Sequence, residues 1–132
     1  MRALISTLAA VHLVVAAWHG SEHASLTVKL PPEKAAFIYV VIVIAPIVAG
    51  ILVWTHYVRG AIWLFFVSML GSFVFGVYHH YVLVSADHVE HLPNGSAAAQ
   101  AAFISSAAGL AVLEFASALY GAFCLGRLQS SK

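Results

Sequence analysis

From His79 to Pro93 the chain reads HHYVLVSADHVEHLP, with four histidines, an aspartate and a glutamate inside thirteen residues. Imidazole nitrogens suit zinc, copper, iron and nickel, and carboxylate oxygens complete such shells. Two ligands share a helix face only when they lie three or four residues apart. Asp87 and His91 are four apart, His88 and His91 are three apart, and in the earlier stretch HGSEH so are His19 and His23 at a spacing of four. The expected ligands of a divalent transition metal (copper, zinc or iron) are therefore His79, His80, Asp87, His88 and His91, supplemented by His19 and His23. Ser85 is placed to cap a short helix over 86–92, which the Pro93-Asn94-Gly95 turn would stop. The thioethers Met1 and Met69 lie far along the chain from the cluster, which speaks against a copper(I) relay.

The elements that must position these residues are almost free of charge. The chain has 132 residues, of which 62% are hydrophobic and 8% charged, where a soluble domain carries roughly 25% charged residues. Four apolar runs stand out, at about 3–18, 35–55, 61–83 and 97–125. Each approaches or exceeds the roughly 20 residues that a helix needs to cross a bilayer. They are too long and continuous for the strands of a membrane barrel. The expected fold class is all-α, a single integral membrane four-helix bundle with antiparallel up-down topology in a lipid bilayer. Met1-Arg2 followed by apolar residues has the outline of a signal peptide. Trp18 and His19 directly after Ala16 and Ala17 make a poor cleavage end, so the segment is read as a retained first span.

Basic residues orient the bundle. Arg2, Arg59, Arg127 and Lys132 fall on one side, whereas Lys29 and Lys34 on the other are offset by Glu22, Glu33, Asp87 and Glu90. The positive-inside rule then puts both termini in the cytoplasm of a plasma (inner) membrane. Six of the eight histidines fall at or beyond the outer interface, in both outer connections. If those connections meet at one end of the bundle, their histidines form one site.

Two features inside the spans carry further expectations. Pro46 interrupts the hydrogen bonding of the second helix near Ile42, so a local distortion is expected there. Ser68, Ser72 and Gly76, then Ser105 with Gly109 and Ser117 with Gly121, recur four apart and allow close helix approach, within the bundle or in a homo-oligomer. Glu114 is the single acid within a span, and an ionisable group at that depth needs a partner. At 1.5 Å per residue it lies roughly 16 Å from the inner end of the fourth helix, and His12 lies about 14 Å from that of the first. A buried Glu114–His12 pair is therefore expected.

Alternatives to a bare metal follow from the same residues. His79 or His80 facing His19 would form one haem b site. HGSEH, HH and HVEH look loosely like the histidine boxes of membrane di-iron enzymes, but they are incomplete. The chain could also serve as a non-catalytic accessory subunit of a larger membrane complex. GxGxxG and Walker patterns are absent, Cys124 stands alone with no CxxC pair, and no catalytic constellation is apparent. The net charge of +1 and the lack of a basic patch exclude nucleic acid as a partner.

Overall fold

The computed structural model describes residues 1–93 and 95–130, which form an all-helical chain. Lys132 and Asn94, both used in the reading above, lie outside the described residues. Four helices are long and apolar enough to cross a membrane: α1 (Arg2–Ser25), α2 (Pro32–Leu52), α3 (Val58–Val82) and α4 (Ala97–Gln129). Apolar residues account for much of their outer surface. Val14, Val40, Ile51, Val74 and Val112 are all exposed although they lie within helices. A surface of this kind suits hydrocarbon, where the helix satisfies its own backbone groups.

Each helix packs against its neighbours in sequence, and α4 also packs against α1, so the four close into a ring. Small side chains permit the close approaches. A Cβ on Gly50 would stand 3.3 Å from Ala9, and one on Gly121 would stand 3.0 Å from Phe66. At the same end of the bundle the Trp54 indole donates to Ser6 Oγ at 2.8 Å, and that hydroxyl donates to the Gly50 carbonyl at 2.8 Å. The main apolar core is there, built around Ile5, Val53, Ile62, Phe65 and Met69. A smaller cluster of Leu26, Val28 and Phe103 closes the opposite end. The buried polar residues His12, Ser72, Ser106 and Glu114 lie on helices between these clusters.

Three local departures from a plain α-helix shape this second end. The first helix does not stop at Trp18, where hydropathy falls, but continues to Ser25 and carries His19 and His23 on one face. It ends in a Schellman motif, with Thr27 N–H bonded to the Ala24 carbonyl and Val28 N–H to that of His23. Thr27 has φ 55°, a left-handed conformation that glycine adopts far more readily than a β-branched residue. That turn folds Leu26 and Val28 inward. In α2, residues Ile38–Ile44 form wide π turns directly ahead of Pro46, the distortion expected where a ring displaces a helical N–H. In α3 a second π segment, Tyr78–Val82, resets the direction in which His79 and His80 point.

Candidate metal centre

The spacing of four in HGSEH puts His19 and His23 one helical turn apart on α1, and the π segment of α3 turns His80 toward them. Their Nε2 atoms converge: His19 to His80 at 3.1 Å and His23 to His19 at 3.1 Å. All three rings are buried, and their potential ligand atoms lie within 4.8 Å of one another. Fully buried Phe103 forms the floor, with its ring centroid 4.8 Å from His19, 4.9 Å from His23 and 5.4 Å from His80.

The hydrogen bonds at the far side of the rings decide where the protons sit. Ser106 Oγ donates to the Phe103 carbonyl at 3.0 Å, so it accepts from His19 Nδ1 at 2.9 Å. His80 Nδ1 lies 2.9 Å from the main-chain oxygen of Asp87, which can only accept. With both rings neutral, each holds its proton on Nδ1 and the two Nε2 lone pairs face each other across 3.1 Å; a proton on one Nε2 or a metal ion between them removes the clash. Two lone pairs at that separation repel unless a positive charge lies between them. Histidine ligands of metals show this same arrangement, with the outward N–H held by a carbonyl, carboxylate or other acceptor. With metal–nitrogen bonds of about 2.0–2.1 Å, tetrahedral ligand atoms stand roughly 3.3–3.4 Å apart, within a few tenths of an ångström of the spacing found.

Asp87 stands beside the three histidines, on the loop between α3 and α4. Its Oδ1 lies 3.6 Å from His23 Nε2 and 3.3 Å from His80 Nδ1, is buried and accepts no hydrogen bond. The His80 N–H is directed at the Asp87 main-chain oxygen, so the shorter of these contacts is a second, longer approach alongside that bond. Burial alone would push the Asp87 carboxyl up. The close contact with His80, and then the electrostatic pull of His80, His23 and Lys34, outweigh it and hold the group below the usual carboxylate range. The loop is pinned where it needs to be, because Val89 N–H bonds back to the His80 carbonyl at 3.0 Å.

The expected ligands divide. His19, His23 and His80 meet, with Asp87 beside them. His79 is buried against the Phe75 ring at a centroid distance of 4.3 Å, since consecutive residues on a helix cannot face the same way. His88 and His91 form their own pair, Nδ1 to Nδ1 at 3.2 Å, and His88 Nδ1 also accepts the Glu90 N–H. Residues 85–93 do not form the capped helix expected of them. Ser85 Oγ accepts the Asp87 N–H, and successive turns close from His88 N–H to Ser85 and from His91 N–H to His88. Those turns aim Asp87 inward and leave His91 exposed. Ser106 and Phe103 were not among the expected site residues. The signal for them was faint: Phe103, Ser106, Leu110 and Glu114 follow the three-and-four spacing of one face of α4.

On that face, one further turn along, Glu114 Oε1 lies 3.0 Å from His12 Nε2, and both residues are buried. A cavity of about 110 Å³ joins the two polar regions. His19, His23, His80 and Asp87 line one part of it and Glu114 another, with Ile38, Ile42 and Phe75 among the apolar side chains of the wall.

No protein-family model matches this sequence, and neither the curated proteins nor the solved structures contain a similar one. The fold and the site define the class on their own. This is an all-helical chain with four helices apolar enough to cross a membrane, and its buried His19/His23/His80 cluster could hold a metal ion.

Proposed function

We propose that the chain is an integral membrane protein that binds a divalent transition metal ion through His19, His23 and His80, with the Asp87 carboxylate as fourth ligand. The observation that carries this reading is the convergence of the buried His19, His23 and His80 rings, with the Nδ1 sides of His19 and His80 held by Ser106 and the Asp87 main chain. Three imidazoles and a carboxylate suit zinc, copper or iron. Rings that converge on one point favour a bare ion over a haem, which needs its two imidazoles on opposite faces of the porphyrin. His88 and His91 have no part in the site on this reading.

The distribution of basic residues supports an up-down bundle in the plasma membrane with both termini cytoplasmic, and so a metal site at the outward end. A site there, closed by a short loop, serves to take up, hold or pass on a metal ion, or to supply one to a larger membrane complex or homo-oligomer. The test is to load the detergent-purified, chelator-stripped chain with zinc and count bound metal. The expected result is about one ion per chain, lost in H19A and H80A and kept in H88A. No bound ion in the wild type, or loss with H88A alone, overturns the reading.

A further inference from the structure

The cavity places Glu114 within reach of whatever binds at the histidines, and the charges at its two ends do not balance once a divalent ion arrives. Three neutral imidazoles and one carboxylate leave a buried site with an excess positive charge. A net charge in a low-dielectric interior is costly unless another charge offsets it. The titratable groups lining this cavity are His19 and His23 from α1, His80 from α3, Asp87 from the loop and Glu114 from α4. The helix α2 contributes only apolar side chains to the wall. Of the two carboxylates, Asp87 is beside the ion, so Glu114 is the one left to supply the compensating charge.

Glu114 is poised for this. Its side chain is 3% exposed, and among the described residues its polar partner is His12, itself 1% exposed. A carboxylate and a neutral imidazole would bury a net negative charge there, whereas the same pair with one more proton is neutral. Gly76 lies open beside the free oxygen, with Oε2 3.8 Å from where a Cβ would stand. On a measure by which one water needs about 10–15 Å³, the cavity has room for several, enough to carry a proton away.

We propose that Glu114 and His12 form a proton-exchanging counter-site for the metal. In the metal-free chain the pair holds one dissociable proton. When a divalent ion binds at the histidines, the O–H or N–H bond to that proton breaks, the proton leaves through the water of the cavity to the solvent, and Glu114 remains as a carboxylate. No electron moves and Glu114 does not ligate the ion. The two charges of the ion are thereby matched by the Asp87 and Glu114 carboxylates, and one proton leaves the pair for each ion bound. This inference rests on the metal reading of the cluster.

The experiment titrates the metal-free, detergent-purified chain with Zn²⁺ in weak buffer near neutral pH. A pH-indicator dye counts protons released, and elemental analysis counts bound zinc in the same sample. Wild type should release about one proton more per zinc than E114Q, and E114Q should bind zinc at least about tenfold more weakly. A second measurement needs no variant: binding of monovalent Ag⁺ to wild type should release about one proton fewer than binding of Zn²⁺. Equal proton counts for wild type and E114Q, or for the two ions where E114Q does not fold, overturn the coupling while leaving the metal site standing. Absence of zinc binding by wild type overturns both.

Discussion

Replacing Ser106 with alanine should weaken metal binding although Ser106 touches no metal. Its hydroxyl accepts the Nδ1–H of His19 at 2.9 Å and so fixes the tautomer that turns the Nε2 lone pair toward His80. Alanine leaves that N–H buried without an acceptor, a loss of about 1–3 kcal/mol in the metal-free chain. It also frees the ring to carry its proton on Nε2, where the metal needs a lone pair. Removing an outer partner of a metal-bound histidine lowers affinity 10–100-fold, which corresponds to about 1.4–2.7 kcal/mol. The two effects are separable. Thermal unfolding in the presence of chelator reads the first, and competition for Zn²⁺ against a chromophoric chelator reads the second. S106A should keep about one site per chain at an affinity lowered by that factor. An affinity unchanged within about threefold would refute the tautomer reasoning, since the lower bound for an outer partner is tenfold.

Three further outcomes follow. The double variant H88A/H91A should bind zinc within about threefold of wild type, because His88 and His91 pair with each other and not with the three converging rings; chelator competition checks this. The Asp87 carboxyl is held lower in the folded chain than in the unfolded one. Its contribution to stability is therefore fully present above its unfolded value of about 3.9 and is lost as pH falls through the lower, folded value. Acid unfolding of the metal-free chain should show that loss, and D87N should lack it. Thr27→Gly should stabilise the chain by about 1 kcal/mol by relieving the left-handed threonine, measured as a rise in the midpoint of thermal unfolding.

The four helices were legible because length and hydropathy alone identify a segment that can span a bilayer. Their ends were less so. Hydropathy ends the first span at Trp18, yet HGSEHAS continues the helix to Ser25, since helix formation does not require apolar residues. That extension turns His19 and His23 from supplementary ligands into two of the three that meet. The depth count that paired His12 with Glu114 survives because rise per residue is fixed in any helix. By contrast, the choice between His79 and His80 was invisible, because the π segment changes the angular phase that ordinary helical spacing assumes. The loop went astray for a related reason: Ser85 captures the Asp87 N–H in a turn rather than capping a helix. Phe103 and Ser106 were hidden because a phenylalanine and a serine in an apolar run carry no mark of a metal site until the rings they hold are in place.

The most direct measurement is X-ray absorption at the zinc edge on the stripped and reloaded chain, which reads ligand number, distance and imidazole scattering together. The expected result is a four-coordinate ion at about 2.0–2.1 Å with three imidazoles and one oxygen, and loss of imidazole scattering in H19A and H80A. A six-coordinate, largely hydrated ion, or a spectrum that H19A and H80A leave unchanged, would contradict a metal centre at His19, His23 and His80.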